Sequence, residues 1–531
     1  MLKSGNLSKE QELRIIVYQS EILNYTAKFH ESLKLTSKVL KESASLDNLF
    51  LVLDTYWQQI ISFTYTAQYK ECMAAIEKGL GMIEAAKEVD LKEISKRKSY
   101  FLINKGIMVN ELGDIASAIE LFKAGYESAE KSENKDYITL AKGWYSYMLS
   151  QTDQKALADK LADETLKIVD LSEKKTFQVF VYFPAASAKM TLGNYNIAKD
   201  YFCKAIELCK ETGTRILLRV FYLHLGIIHN RSFNLDEALK YYVLALDETE
   251  ESRYLYYTNI CEIYLLKNEI KKAQEYYIMA LEESKSMGEQ RVRPGIIYSL
   301  IFTSILLNNI PQTEEYLKEL EKLSKETGLE AVTRKYQFAK VLLLKESTRI
   351  QDWLNAVEIL EKLLKDETLP IDSQIDALYH LVEIRLKELQ LTADQEVLTE
   401  VKKQIEKIQS FAEERKQFNL IINIYRLKSQ LALVELDAEK AVELLITAKT
   451  LAEDKKLDLI AHNIKEEQAK LAEQQNMCNR LREQKAPMVE TLKQVNLGTS
   501  AKQIANETIM EVRDDDIGKV VEYRKLFALK I

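Results

Sequence analysis

The side chains that usually carry catalysis or hold metals are few in this sequence and do not converge. Of the five histidines, His30, His224, His229, His380 and His462, only His224 and His229 are neighbours, and five residues is a poor helical spacing for shared ligation. His229 falls on the inward side of a helical pattern, where a hydrogen-bonded packing role suits it better than that of a base or ligand. The five cysteines have no zinc or redox spacing. Cys72 and Cys261 stand where the pattern wants a small residue, Cys203 and Cys209 lie six apart on one helix, and Cys478 lies in a charged helical stretch. They read as reduced, buried thiols. Asp514, Asp515 and Asp516 are adjacent carboxylates that point different ways, whereas a hard cation wants converging oxygens. No glycine-rich dinucleotide turn, phosphate-cradling GxxxxGK[ST], HExxH or GxSxG occurs. The expectation is a chain that is not an enzyme and uses neither metal nor cofactor.

Acidic and basic residues are interleaved and the formal net charge is −7, which leaves no basic stripe to follow phosphates and argues against nucleic acid as a partner. The opening MLKSGNLSKEQEL has no apolar signal core, and the best apolar run, 216–228, is broken by Arg219 and His224. A soluble, cytoplasmic protein without membrane insertion is expected. Only 15 glycines and 5 prolines in 531 residues leave little material for hairpins and loops. The fold class is therefore all-α.

The elements that would position a binding surface repeat in the sequence. GNYNIAKDYFCKAI at 193–206, FNLDEALKYYVLAL at 233–246 and NEIKKAQEYYIMAL at 268–281 share a small anchor, Ala198, Ala238 or Ala273. An aromatic follows four residues later (Phe202, Tyr242, Tyr277) and an alanine seven later (Ala205, Ala245, Ala280), all on one helical face. Twelve residues before each anchor stands another small residue, Ala186, Gly226 or Cys261, on a preceding helix. Small residues facing each other let two helices approach closely while the aromatic fills the groove beside them.

This order of small residue, Gly-Asn-Tyr, Ala, aromatic and Ala resembles the tetratricopeptide repeat, although the spacings of 40 and 35 between anchors exceed the standard ~34. The register extends to eleven anchors: Ser32, Cys72, Ala118, Ala158, the three above, Thr313, Ala356, Val397 and Ala441. The resemblance implies an α-solenoid, a right-handed superhelix of antiparallel helix pairs, over 1–455. A charge-rich capping helix is expected at 456–485 and a tail at 486–531, open to being a strand, an amphipathic helix or a segment ordered on docking. Pro311, Pro294 and Pro370 fall at helix starts, Lys-Glu-Thr-Gly at 210–213 and 325–328 and Lys-Ser-Met-Gly at 285–288 mark helix ends, and a longer turn is expected near 86–95. Pro184 predicts a kink or a late helix start. One continuous run and two halves meeting near the fourth pair or beyond Thr313 are both compatible with the pattern.

In tetratricopeptide proteins the concave face is lined by the first helix of each pair. The resemblance implies groove residues 18, 15, 11 and 8 before each anchor. These include Tyr100, Ile103, Ile107, Tyr147, Phe180, Phe183, Leu223, Ile227, Leu255, Leu265, Tyr298 and Phe302. None of them is basic, which disfavours a clamp for a C-terminal carboxylate. The expected partner is a protein or peptide, an amphipathic helix or an extended segment with apolar anchors, and the expected role is a non-enzymatic interaction scaffold. The alternative is a regulatory sensor of a signal peptide or small molecule. Three states of the groove stay open: exposed, core, or covered by the chain's own tail, whose Leu526, Phe527, Leu529 and Ile531 make a candidate internal ligand that would autoinhibit.

Overall fold

A computed structural model describes residues 7–495 except 47, 67, 88, 112–113, 249–252, 287–291, 416 and 455–457, together with Ile504 and the strands 509–513 and 520–525. Among these residues the chain forms eleven antiparallel helix pairs. The first six are α1 (Lys9–Tyr25) with α2 (Phe29–Glu42), α3 (Leu49–Tyr65) with α4 (Tyr69–Ala85), α5 (Leu91–Glu111) with α6 (Ile115–Lys131), α7 (Lys135–Ser150) with α8 (Lys155–Asp170), α9 (Lys175–Thr191) with α10 (Tyr195–Thr212), and α11 (Leu218–Arg231) with α12 (Leu235–Asp247). The other five are α13 (Tyr254–Leu266) with α14 (Ile270–Ser286), α15 (Arg293–Leu306) with α16 (Ile310–Thr327), α17 (Glu330–Lys345) with α18 (Ile350–Leu364), α19 (Ile371–Thr392) with α20 (Gln395–Glu414), and α21 (Phe418–Val434) with α22 (Ala438–Asp454). They fall into two compact units, Met1–His229 with Asp236–Tyr256, and Asn230–Leu235 with Tyr257–Ile531. The division thus lies between the sixth and seventh pairs, at neither position that the sequence pattern suggests.

The anchors explain why the pairs form. In nine of the eleven pairs the anchor is the fourth residue of the second helix, and ten of the eleven anchors are fully shielded from solvent. Space there is tight. A methyl group added at Gly226 would lie 2.4 Å from the Tyr242 ring, and one added at Gly106 would lie 3.0 Å from Phe122, the aromatic four residues past Ala118. The two exceptions have physical reasons. Trp353 takes the fourth position of α18, where so large a side chain cannot sit at the close approach, and Ala356 meets the neighbour one turn later. In α20 the fully buried fourth residue is Leu398, with Val397 at its side.

Helix boundaries follow local chemistry. Gly213 and Gly328 end α10 and α16 in the left-handed conformation, at φ 73° and 61°; Gly288 lies outside the described residues. Pro311 and Pro294 occupy the first turns of α16 and α15, and Pro370 caps α19. The turn after α4 is short, and the long step between Cys72 and Ala118 is absorbed by the 21 residues of α5. Pro184 neither delays nor breaks α9, which begins at Lys175 and runs through it. Its ring sits against Gly143 of α7, where an added methyl would lie 3.3 Å from the proline and 3.4 Å from Thr165, the small residue that replaces alanine in that pair.

In the second unit α23 (Asp458–Glu483) packs on α22 and buries Ile464, Leu471, Cys478 and Leu481, so the charged stretch has one apolar stripe. Arg426, 1% exposed on α21, is held by Glu467 of α23 and by Asn423 at 2.8 Å. Beyond it come α24 (Met488–Val495) and an antiparallel hairpin of β1 (Ile509–Arg513) and β2 (Val520–Lys525), with β1 beside α21. The tail is thus part helix and part strand; Asp514–516 and Leu526, Phe527, Leu529 and Ile531 lie outside the described residues. No described helix is long and apolar enough to cross a membrane.

The same unit buries a charged cluster between α17 and α19. Lys345 Nζ lies 2.6 Å from Glu383 Oε2 and 3.3 Å from His380 Nδ1. Burial, helped by the Lys345 charge, lowers the His380 imidazole to about 4. Burial alone would raise Glu383, but the Lys345 charge and the His380 contact outweigh it and hold the carboxyl at about 2. Both groups are therefore harder to protonate folded than unfolded, so stability is full above neutral pH and falls as pH drops through 6.5 towards 4, then further towards 2. Urea unfolding of the second unit should show a midpoint that declines from pH 7 to pH 5, and His380→Leu should remove the first part of that decline. At the helix contacts of the first unit, Gly226→Val should lower the urea stability of that unit by about 1–3 kcal/mol.

Candidate functional site

The inner face of the first unit is built from α1, α3, α5, α7, α9 and α11, and the run of pairs closes on itself. Both the Arg215 and Ile216 N–H groups, in the turn before α11, donate to the Tyr25 carbonyl at the end of α1, at 2.8 and 3.2 Å. The Tyr25 ring meets Phe180 of α9 at 5.3 Å, and the Arg219 guanidinium of α11 lies over the Tyr65 ring of α3 at 5.3 Å. The first pair therefore meets the fifth and sixth.

Inside this closure the rings of successive first helices touch. Trp57 of α3 stacks on Tyr100 of α5 with centroids 3.7 Å apart, and meets Tyr137 of α7 edge-on at 5.7 Å. All of these rings are half-buried. Burial pushes the Tyr65 phenol up to about 12, against the pull of Arg219, and raises Tyr25, Tyr100 and Tyr137 as well. The phenols thus stay protonated at physiological pH and can donate hydrogen bonds; Tyr25 already donates to Glu21 at 2.5 Å. Charge at the rim is fixed. Arg97 donates to both oxygens of Asp54, at 2.8 and 2.9 Å, and to Glu93 at 2.7 Å, while the Lys96 ammonium lies 5.1 Å from the Tyr137 ring centre.

The residues singled out in the sequence go to four kinds of place. Tyr100 and Phe180 belong to the ring cluster. Phe183 joins a second row deeper along the same helices, edge-on to Trp144 at 5.5 Å and to His224 at 5.5 Å, with Tyr147 edge-on to the same Trp144 at 6.2 Å. Ile107, Leu223 and Ile227 are half-buried, and Leu255 is 45% exposed. Ile103 and Leu265 are core, as are Tyr298 at 1% and Phe302 at 7% exposure. The last two cannot line an open trough: Pro294 to Ser304 of α15 are buried without exception, and a helix apolar all round is enclosed all round. That signal stands in the sequence GIIYSLIFTSIL, which lacks a polar face.

Four rings of the cluster were outside the sequence reading. Trp57 stands fifteen residues before Cys72, the same offset as Ile103 before Ala118, so carrying the groove rule to the second pair finds it. Tyr25 and Tyr65 each stand seven before their anchors, a position the offsets omit, and Tyr137 enters from a helix start. Arg219, Arg97 and Lys96 bring cations to this face, where Glu21, Asp54 and Glu93 supply carboxylates.

No family model matches the sequence. A curated relative, the response regulator aspartate phosphatase I of Bacillus subtilis (strain 168), is 25% identical over 178 residues; these are 32% of this chain and 45% of the relative, so the chain spans under half of that protein's length. Among solved structures, a Rap protein complexed with competence and sporulation factor is 13% identical, with 67% of this chain and 99% of that one covered and a TM-score of 0.42. A STAND signal-transduction ATPase with a tetratricopeptide repeat sensor, from Pyrococcus horikoshii, is 15% identical, with 65% and 54% covered and a TM-score of 0.44. The apo quorum sensor NprR from B. thuringiensis is 12% identical, with 68% and 99% covered and a TM-score of 0.43. In fold, as its own helix pairs and small-residue contacts define it, the chain is a tetratricopeptide-type repeat protein with long repeats.

Proposed function

We propose that the chain is a non-enzymatic interaction protein that takes an extended, apolar peptide segment on the inner face of its first unit. The observation that carries this reading is the row of half-buried rings, Tyr25, Trp57, Tyr100, Tyr137 and Phe180, supplied by five successive first helices. Aromatic faces give large contact area at small entropic cost, and protonated phenols beside them can bond peptide carbonyls. A helical ligand, ~10–12 Å across with its side chains, fits poorly where Tyr25 and Phe180 already meet across the closure. The reading therefore keeps the extended segment and sets the amphipathic helix aside for this face.

The match to a response regulator aspartate phosphatase favours the regulatory form of this role, in which the bound segment is a signal that changes how the protein meets a further partner. The relative's own activity is not transferred, because the match spans 45% of it. A cytoplasmic setting belongs to the same proposal.

The test is fluorescence binding against an array of nine-residue apolar peptides. Trp57→Ala and Tyr100→Ala should each weaken the best binders at least tenfold, about 1.4 kcal/mol or more, whereas Phe302→Ala should leave affinity unchanged in protein that remains folded. Binding that ignores both ring deletions would refute the assignment.

A further inference from the structure

We propose that the groove between α19 and α21 is a docking site for a short amphipathic helix. The chain's own α24 is its resting occupant, and a partner helix of the same chemistry displaces it. This surface lies within the second unit and does not depend on the peptide reading of the first.

The geometry carries the assignment. Helix α24 packs on α19 and α21, the first helices of neighbouring pairs, and so lies on the layer away from α20 and α22. It buries one face, Thr491, Leu492 and Val495, while Val489 stays 49% exposed and Glu490, Lys493 and Gln494 face solvent. This is the pattern of a helix laid into a groove. Eight residues are too few to hold a helix without the groove.

The occupant is imperfect. The Thr491 hydroxyl is buried, at 1% residue exposure, with no hydrogen-bond partner among the described residues. An unsatisfied buried hydroxyl opposes docking, so a helix carrying valine at that position would seat better than the chain's own. The preceding helix is secured separately. Glu467 of α23 holds Arg426, and Ile464, Leu471 and Cys478 pack against the array. Between the two helices Lys485 adopts φ 49°, unusual for a side-chain-bearing residue, and Pro487 follows, so the chain breaks sharply where α24 would swing away. Release of α24 therefore leaves α23 capping the unit.

The experiment adds a fluorescein-labelled synthetic peptide, APMVETLKQVNL (residues 486–497), to full-length protein and reads anisotropy. A full-length variant with Leu492→Glu and Val495→Glu, which empties the groove, should bind it at least tenfold tighter than wild type. The same peptide carrying Thr491→Val should bind the variant several-fold tighter again. Equal binding to variant and wild type, or none to either while the variant melts as wild type does, overturns the proposal. Should the variant lose its cooperative melt, hydrogen exchange on wild type decides: α24 amides exchanging well ahead of α23 amides is expected, and exchange of the two helices in one step overturns it.

Discussion

Everything in this molecule depends on how closely the second helix of each pair can approach the first. The small residue at the fourth position of the second helix sets that distance, and the aromatic four residues later fills the space it opens: Phe122 over Gly106 and Tyr242 over Gly226 are the clearest cases. The contact is short-ranged and steric, and it repeats about every forty residues. It fixes the angle at which each pair passes the chain to the next. In the first unit this accumulates until the turn at Arg215 and Ile216 reaches Tyr25, so that the first pair meets the fifth and sixth. Trp57, Tyr100 and Tyr137 shield one another across α3, α5 and α7, which a single first helix could not do.

The two units use the same pair to make different interiors. In the first, inward positions carry Trp57, Tyr100, Tyr137 and Phe180 beside the Arg97–Asp54 ion pair, and the half-buried phenols remain neutral donors. In the second, the first helices α17, α19 and α21 carry Lys345, His380, Glu383, Asn423 and Arg426, and α21 is additionally shielded by α23 and α24. Buried charge of that kind is tolerated because each group is met by another, and it favours one packing register over its neighbours. An aromatic interior suits a ligand that comes and goes. A paired ionic interior suits elements that stay docked, and α24, which adds to it only three side chains and one unsatisfied hydroxyl, is the exception.

The architecture was legible in the sequence because the small-residue anchors are local and periodic. Ten of the eleven anchor residues are fully buried, and glycine at 213 and 328 stops its helices as expected. The inner face was only partly legible. Offsets counted back from an anchor locate Tyr100 and Phe180, but which rings meet depends on where the turn closes, and Tyr25 joins Phe180 across more than 150 residues of chain. Tyr298 and Phe302 obey the same offsets and end in the core, because α15 has neighbours on every side. Pro184 does not delay its helix as one of the two expected outcomes required: the ring is accommodated where a neighbouring glycine, Gly143, makes room for it. The tail carried no periodic signal, so its division into α24 and a hairpin was not readable from pattern.

The closure of the first unit is the central claim, and amide hydrogen exchange at Arg215 and Ile216 tests it most directly. Both N–H groups lie in a turn, beyond the last residue of α10, where an open array would let them exchange at loop rates. If both donate to the Tyr25 carbonyl, they should be protected to nearly the level of the neighbouring helices. Exchange of both amides as fast as an unstructured loop would contradict the closed turn, and with it the meeting of Tyr25 and Phe180 on which the functional reading stands.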